Sequence, residues 1–205
     1  RWRGKRDVAG LRLVGDSVTK SALNEADAFA TLGRGHENLV TCYGLFEHDG
    51  YQHLVTEFAP GGNLLSVLAL SSGSLNILVT VEILLQVCLG MECLHRVEPN
   101  PIVHRDLAAR NVLVFKFSKD DYKSIDVRVT DFGLSRHLEE EEAKTDKMGV
   151  AKISSEDSED EVRPIRYMPP ETFQCRGEFS EKSDVWSYGV LMWEILDGCK
   201  SGAPY

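Results

Sequence analysis

The sequence predicts an α+β fold with two lobes, a small β-rich lobe over residues 1–58 and a larger helical lobe over residues 64–205. Alternating apolar residues, the pattern of half-buried strands, are concentrated in the first quarter of the chain. Apolar residues at helical spacing dominate the remainder. Between the two regions, APGGN at 59–63 is a cluster of breaker residues, and it is predicted to be the hinge that joins the lobes.

In the first lobe, the sequence predicts mainly strands. Residues 1–16 indicate the end of one strand, a turn at 3–5 and a second strand. Apolar residues three and four positions apart predict a helix over 21–32. Segment 38–58 predicts two strands joined by a turn at 48–50, where His-Asp-Gly favours chain reversal.

In the second lobe, the sequence predicts mainly helices. Apolar helical stretches follow the hinge and continue to about residue 97. Two short strands are predicted at 111–117 and 125–130, joined by the polar sequence SKDDYKS. A strong helical pattern covers 181–198 and ends at Gly198, a typical terminating residue.

The composition is that of an acidic globular protein, and it excludes one large class of partners. The 205 residues carry a formal net charge of −9, and residues 138–162 alone hold ten acids and three lysines. Because nucleic-acid binders present a clustered basic surface, we expect no nucleic-acid partner. The five cysteines include no C-x-x-C pair, so they are predicted to be reduced packing residues in the cytoplasm.

The most apolar segment, residues 75–94, is predicted to be a buried helix rather than a membrane span. Glu82, Gln86 and Glu92 interrupt it, and a bilayer core tolerates few such side chains. No apolar stretch follows the basic N-terminal residues, as it would in a secretory signal. We therefore expect no membrane span in this chain, and a cytoplasmic location, either alone or as the cytoplasmic portion of a membrane receptor.

Two loops at strand ends carry side chains suited to phosphoryl transfer. The run IVHRDLAARNVLV at 102–114 contains Asp106 and Asn111, and VTDFGLSR at 129–136 contains Asp131. Transfer of a phosphoryl group needs a hydrogen-bond acceptor for the attacking hydroxyl and oxygen ligands for Mg²⁺. Asp106 is the candidate acceptor, and Asn111 and Asp131 are the candidate metal ligands.

The same runs resemble the catalytic domain of eukaryotic protein kinases. His104-Arg105-Asp106 with Asn111 is similar to the family's catalytic loop, and Asp131-Phe132-Gly133 is similar to its magnesium loop. MPPE at 168–171 and SDVWSYGVLMWEI at 183–195 extend the resemblance to essentially the whole chain. It implies a two-lobed protein kinase-like fold. Because the family's glycine-rich loop and last helices have no counterpart here, both lobes are expected to be truncated.

The resemblance also implies a reaction, the transfer of the γ-phosphoryl group of ATP to a protein hydroxyl, with Mg²⁺ as cofactor. Asp106 would accept the hydroxyl proton, and Arg110 would support the substrate side of the catalytic loop. Asn111 and Asp131 would hold the metal, and Asp131 would also face the nucleotide. Residues 131–171 correspond to the activation segment.

Details of the motifs favour a tyrosine kinase. Serine/threonine kinases typically carry lysine two residues after the catalytic aspartate, whereas this chain has Ala108. Arg110 matches the tyrosine-kinase form HRDLAARN. PIRYMPPE at 164–171 is similar to the tyrosine-kinase sequence there, with Tyr167 in place of tryptophan. Tyrosine is therefore the favoured acceptor, while serine/threonine or dual specificity remains open.

Five residues correspond to the family's adenine pocket. Thr56 falls at the gatekeeper position of LVTEF, and the backbone of Glu57 and Ala59 would hydrogen-bond adenine. Leu113 would pack beneath the base, and Ala9 would pack above it.

One part of the family's catalytic machinery departs from the pattern. In the family this strand reads V-A-x-K, and its lysine contacts the α- and β-phosphates. In this chain the residue at the lysine position is Leu11. Glu25 fits the glutamate that holds this lysine. Arg12 comes one residue later and would point to the opposite face, unless a bulge at Gly10 turned it into the cleft. The alternative to an active enzyme is therefore a pseudokinase, a scaffold module with impaired use of ATP, or an eroded copy without a function of its own.

Two other residues in these motifs are expected to be structural. In the family, His104 belongs to a column of stacked side chains and would pack on Phe132. Asp184 would bond the backbone of the catalytic loop.

Overall fold

The computed structural model describes residues 7–14, 32, 35–71, 75–99, 101–131, 136–137, 167–174 and 179–198. Residues 15–31, which include Glu25 and nearly all of the helix predicted at 21–32, lie outside the described residues. Phe132 and most of the expected activation segment also lie outside them.

The first lobe contains a three-stranded antiparallel sheet. Its strands are β1 (Val8–Arg12), β2 (Cys42–His48) and β3 (Tyr51–Glu57), in the spatial order β1-β3-β2. Asp49 and Gly50 connect β2 to β3 with φ angles of 51° and 74°, and such left-handed pairs match the twist of a two-residue hairpin. The hairpin predicted over 38–58 is therefore confirmed, as is the second strand predicted within residues 1–16.

The second lobe combines helices with short strand pairs. Its helices are α1 (Leu64–Leu70), α2 (Ile77–His95), α3 (Pro170–Gln174) and α4 (Glu181–Asp197). Its strands are β4 (Ile102–Val103), β5 (Val112–Lys116), β6 (Asp126–Val129) and β7 (Arg136–His137), paired as β4-β7 and β5-β6. β5 and β6 confirm the strands predicted at 111–117 and 125–130. Helix α4 confirms the helix predicted at 181–198, and it ends where Gly198 adopts a left-handed φ of 65°.

Helix α2 lies at the centre of the main hydrophobic core. Val79, Ile83 and Val87 are fully buried, and they belong to one cluster with apolar residues of β5, β6 and α4. Gly90 allows the helix to approach the first lobe closely, because a Cβ at this position would lie 2.7 Å from the carbonyl oxygen of Asn38. The core therefore continues from the helical lobe to the segment that leads into the sheet.

By length and composition alone, the same helix could cross a membrane. It is the only described helix that meets this criterion, and 39% of its most apolar window is buried within the protein. Its polar side chains make contacts within the fold. Gln86 donates from Nε2 to the carbonyl oxygen of Ile125 at 3.0 Å and accepts from the backbone N–H of Val127 at 2.8 Å. One face of the helix is buried in the core, but Leu78, Val81 and Leu85 are about half exposed, so the buried helix predicted for residues 75–94 is buried only in part.

Two backbone contacts connect the lobes at the β5-β6 pair. Residues 61–62 exchange two hydrogen bonds with Val114 of β5, at 2.9 and 2.8 Å. Residues 38–40 exchange two hydrogen bonds with Val129 of β6, both 2.9 Å long. The hinge predicted at 59–63 and the segment before β2 therefore both hold the hairpin that carries the candidate catalytic loops at its ends.

A charged cluster adds a side-chain connection between the lobes. Arg128 of β6 pairs with Glu57 at the end of β3 at 2.7 Å, and with Asp126 at 3.1 Å. The guanidinium carbon also lies 4.1 Å from the centroid of the Phe115 ring. The second carboxylate oxygen of Glu57 accepts the backbone N–H of Thr41 at 2.7 Å. The side chains of Arg128 and Glu57 are only 22% and 15% exposed, so the pair is shielded from most of the solvent.

We expect Arg128→Ala to lower the free energy of unfolding by about 1–3 kcal/mol, because it leaves the carboxylates of Glu57 and Asp126 without their shared cation. Urea denaturation at neutral pH measures the change. Arg96→Ala is the matched control, since Arg96 pairs with Glu92 at 2.8 Å but its side chain is 77% exposed. The control should change stability by no more than about 0.5 kcal/mol. Equal losses in the two variants would show that the shielded cluster contributes no more than a surface pair.

Candidate active site

Helix α4 anchors the loop between β4 and β5. Asp184, 1% exposed, accepts the backbone N–H groups of His104 and Arg105, each at 2.9 Å. Nε2 of His95 lies 2.8 Å from the same carboxylate. Because two successive backbone amides are bound to one fixed carboxylate, the path of the loop is set at its start. This arrangement confirms the structural role expected for Asp184.

His104 is a fully buried part of this anchor. Its Nδ1 lies 3.3 Å from the backbone nitrogen of Asp106, and its Nε2 lies 3.1 Å from the carbonyl oxygen of Thr130. An imidazole protonated at Nε2 satisfies both contacts. His104 thus connects the loop to the residue before Asp131, whereas the expected contact with Phe132 lies outside the described residues.

Asp106 is held by two side chains from its own loop. Asn111 donates from Nδ2 to Oδ2 of Asp106 and to its carbonyl oxygen, both at 2.8 Å. Arg110 donates from Nη2 to the other carboxylate oxygen, Oδ1. Asp106 and Asn111 are 8% and 6% exposed. The structure therefore brings together three of the four predicted catalytic residues in one hydrogen-bonded group.

The surroundings of Asp106 raise the pKa of its carboxyl group. Burial is the largest cause and raises the pKa of its carboxyl group above the ordinary aspartate value, while Arg110, His104 and Asn111 act in the opposite direction. The negative charge of Asp131 raises the pKa further. A carboxylate with a raised pKa is a stronger proton acceptor, which is the property that a general base requires.

Asp131 faces solvent at the end of β6, and the backbone connects it to Asn111. The N–H of Thr130 donates to the carbonyl oxygen of Asn111 at 3.0 Å. Asp131 itself has a left-handed φ of 68°, a conformation that aspartate tolerates better than most residues. Its carboxylate is exposed and lies close enough to Asp106 to affect its pKa.

The oxygen atoms of Asn111 and Asp131 suit a hard cation that a nucleotide also binds. The amide nitrogen of Asn111 is directed at Asp106, which leaves its amide oxygen as the group that can bind a metal. Within the described residues, no group of three or more His, Cys, Asp and Glu side chains could hold a metal ion. Mg²⁺ typically takes one or two carboxylates, with phosphate oxygens and water completing its coordination, so Asn111 and Asp131 suit that ion.

The residues expected around adenine lie on β1, β3 and β5 and in the predicted hinge. Ala9 and Thr56 are directly opposite each other on β1 and β3. Leu113 of β5 forms an isolated bridge with Asn63, just after the hinge. The backbone N–H of Glu57 donates to the carbonyl oxygen of Thr41 at 2.9 Å, and the carbonyl oxygen of Glu57 accepts the hydroxyl of Thr56 at 3.4 Å. A carbonyl oxygen has two lone pairs, so it can accept a second hydrogen bond. Ala59 is buried at the start of the hinge.

The register of β1 shows whether a bulge at Gly10 could turn Arg12 to the face of Ala9. Residues Val8 to Arg12 pair with Glu57 to His53 without interruption, so there is no bulge at Gly10. Directly opposed residues share a face of the sheet, and faces alternate along a strand. Leu11 therefore lies on the face of Ala9 and Thr56, and it is 54% exposed. Arg12 lies on the other face, its guanidinium carbon 3.4 Å from the centroid of the Tyr51 ring. The possibility that Arg12 replaces the lysine through a bulge is wrong.

Sequence reasoning missed one residue that supports this site. Glu194 of α4, only 5% exposed, accepts the backbone N–H of Ala109 at 3.0 Å and the hydroxyl of Tyr167 at 2.6 Å. The signal was present in the sequence, because a glutamate stands among apolar residues in LMWEIL. A buried carboxylate requires hydrogen-bond donors, but the pattern alone does not say which donors they are.

Comparisons with known proteins agree with the motifs. The family model of the protein tyrosine and serine/threonine kinases matches residues 14–205. Tyrosine protein-kinase src-1 from Caenorhabditis elegans is 36% identical over 207 residues, which is 100% of this chain and 34% of the relative. Human tyrosine-protein kinase TXK is 34% identical over 195 residues, 95% of this chain and 32% of the relative. Ephrin type-B receptor 3 from Xenopus laevis is 32% identical over 203 residues, 95% of this chain and 19% of the receptor. The chain thus spans between about a fifth and about a third of the length of these relatives.

Proposed function

This chain belongs to the protein tyrosine and serine/threonine kinase family, and we propose that it transfers the γ-phosphoryl group of ATP to a tyrosine hydroxyl of a protein substrate. The observation that carries the proposal is the hydrogen-bonded group of Asp106, Arg110 and Asn111 beside Asp131. It supplies a fixed proton acceptor next to oxygen ligands for a metal, which is what phosphoryl transfer requires of a protein.

Each member of this group has a separate role in the proposed reaction. Asp106 orients the substrate hydroxyl and takes its proton as the oxygen attacks phosphorus. Arg110 holds the carboxylate of Asp106 and lines the substrate side of the loop. Asn111 and Asp131 would hold Mg²⁺, which would neutralise the negative charge of the phosphates when ATP is bound.

The nucleotide base would occupy the space between the sheet and β5. Ala9 packs above it and Leu113 beneath it, and the backbone of Glu57 and Ala59 supplies the polar contacts. Thr56 limits the depth of the pocket. The contacts between residues 61–62 and Val114 support this placement, because they hold the hinge against the strand that carries Leu113.

The choice of tyrosine rests on the sequence around the loop and on the relatives. Ala108 and Arg110 follow the tyrosine-kinase pattern, and the named relatives are tyrosine kinases or a receptor. Cys42, Cys88 and Cys93 are free thiols, which suits the cytoplasm or the cytoplasmic portion of a receptor. Incubation of the full-length protein with ATP, Mg²⁺ and matched tyrosine and serine peptides tests the proposal. Phosphate should appear on the tyrosine peptide; phosphate on neither peptide would contradict the proposal.

One observation favours a second candidate function, that of a pseudokinase that binds partners but uses ATP poorly. Leu11 lies on the same face of the sheet as Ala9 and Thr56, the residues proposed to line the adenine pocket, and an alkyl side chain offers no charge to a phosphate. Without this contact, one source of transition-state stabilisation is missing. The intact group around Asp106 favours the enzyme. The two candidate functions therefore differ in how much catalytic activity is lost because Leu11 replaces the lysine.

We expect Leu11→Lys to raise kcat/KM for peptide phosphorylation by about tenfold or more, because a lysine at this position adds a cation on the face of Ala9 and Thr56. Leu11→Gln is the matched control, since it is polar and of similar size but carries no charge, and it should leave kcat/KM unchanged. A parent without activity that gains it with Leu11→Lys would identify the natural chain as a pseudokinase. No gain from Leu11→Lys, combined with loss of activity in Arg12→Ala, would contradict the assignment of Leu11 to the lysine position.

A further inference from the structure

Tyr167 lies between the catalytic loop and helix α4, and it is fixed at both ends. Its hydroxyl donates to Oε1 of Glu194 at 2.6 Å. Its carbonyl oxygen accepts the hydroxyl of Ser187, from the same helix, at 2.8 Å. The residue is therefore held against α4 by its backbone and by its side chain.

The acceptor Glu194 holds the catalytic loop at the same time. Its second oxygen, Oε2, accepts the backbone N–H of Ala109 at 3.0 Å. Ala109 begins the single turn Ala109–Asn111, which carries both Arg110 and Asn111. Because Glu194 is 5% exposed, the direction of its carboxylate depends on the donors that the protein provides. The Tyr167 hydroxyl is one of these donors.

The ring of Tyr167 makes a second connection to the site. The guanidinium carbon of Arg110 lies 5.0 Å from the ring centroid, within the range of a cation–π contact. The same guanidinium donates to the carboxylate of Asp106. A flexible arginine that contacts a fixed ring on one side has fewer orientations available when it binds Asp106 on the other.

We propose that Tyr167 is a positioning residue for phosphoryl transfer, which acts through Glu194 on the Ala109–Asn111 turn and through Arg110 on Asp106. The inference rests on the proposed function for its kinetic consequence, but not for its structural one. Tyr167 is not among the residues proposed to contact the nucleotide. Its loss should therefore reduce turnover while leaving the affinity for ATP unchanged.

The test compares Tyr167→Phe with Tyr188→Phe in the full-length protein. Tyr188 donates its hydroxyl to the carbonyl oxygen of Leu84 at 2.9 Å, and burial raises its pKa to about 12, so it is a donor at neutral pH. Both variants lose one phenolic hydrogen bond made within the helical lobe, but only Tyr167 is connected to the catalytic loop. Three quantities are measured: kcat, the Kd for ATP with Mg²⁺, and the hydrogen-exchange protection of the Ala109 amide.

Tyr167→Phe should lower kcat by about tenfold, since small displacements of a catalytic group have effects of this size or larger. The Kd for ATP should stay within about twofold of the parent value, and the Ala109 amide should exchange about tenfold faster. Tyr188→Phe should change none of the three quantities. Tyr167→Leu, which also removes the ring beside Arg110, should lower kcat further than Tyr167→Phe.

The outcomes separate this inference from the proposed function. A parent protein without phosphoryl transfer would contradict the proposed function, and the protection of the Ala109 amide would then decide the positioning role by itself. Unchanged protection of Ala109 in Tyr167→Phe would overturn the inference whatever the activity. Equal losses of kcat in Tyr167→Phe and Tyr188→Phe would also overturn it, because the effect would then be one of general stability.

Discussion

Asp106→Asn is expected to lower kcat for phosphoryl transfer by about 10²- to 10⁴-fold, the range typical for removal of a general base. Asparagine keeps the size of the side chain and still accepts hydrogen bonds from Arg110 or Asn111, but it cannot take a proton from the substrate hydroxyl. The measurement is steady-state phosphorylation of a tyrosine peptide at saturating ATP and Mg²⁺. Asp120→Asn is the matched control, because Asp120 is exposed on the loop between β5 and β6. An Asp106→Asn variant with more than about a tenth of the parent kcat would show that another group accepts the proton.

Because the pKa of Asp106 is raised, both the stability of the protein and its kcat should depend on pH. Burial is its main cause, so the folded protein binds the proton of this group more tightly than the unfolded chain does. The stability from this group is fully present below the ordinary aspartate pKa and is lost as pH rises through the raised value. Activity changes in the opposite direction, since kcat should fall as pH falls through the same raised pKa. In Asp106→Asn, this contribution to the pH dependence of stability should disappear.

Asp131→Asn is expected to abolish the dependence of ATP binding on Mg²⁺. The charge of the carboxylate is what a hard divalent cation requires, and asparagine removes it without changing the shape of the side chain. Asparagine also tolerates the φ of 68° at this position, so the backbone should be preserved where alanine would be strained. Titration of the full-length protein with ATP, with and without Mg²⁺, measures the effect.

The same experiment contains its own check on folding. Because Asp131 is exposed, the temperature of thermal unfolding should change little in Asp131→Asn. Loss of the Mg²⁺ effect at an unchanged unfolding temperature would support the assignment of Asp131 as a ligand. Equal Mg²⁺-dependent binding by Asp131→Asn and the parent would remove Asp131 from the metal site.

The elements of the fold followed from local sequence wherever the relevant residues are close together in the chain. His48-Asp49-Gly50 between two apolar runs was sufficient for the β2-β3 hairpin, since the turn and its strands are adjacent. The predicted end of α4 at Gly198 is correct for the same reason, as glycine adopts the left-handed conformation at little cost. The helix predicted at 21–32 stays a prediction, since nearly all of it lies outside the described residues.

The candidate site was predictable as a set of residue types, because the motif spacing already places Asp106, Arg110 and Asn111 within one loop. The sequence by itself also placed leucine at the family's lysine position. What it left open was whether Arg12 could reach the cleft, because a bulge depends on how β1 pairs with β3. Only the register between these strands decided this, and they are separated by about forty residues.

By itself, the sequence determined the longer strands and helices of the described residues, the family and the candidate chemical groups, since these depend on residues near one another in the chain. It did not predict the short strands β4 and β7 or the short helix α3. The tertiary structure alone decided the contacts of Glu194 with Ala109 and Tyr167, which span 85 and 27 positions of sequence. It also decided the pair between Arg128 and Glu57, which are 71 positions apart, and the direction of the pKa shift at Asp106. The physical reason is common to all three. The energy of a buried charge depends on the water that folding removes and on the partners that folding brings near, and distant segments of the chain supply both.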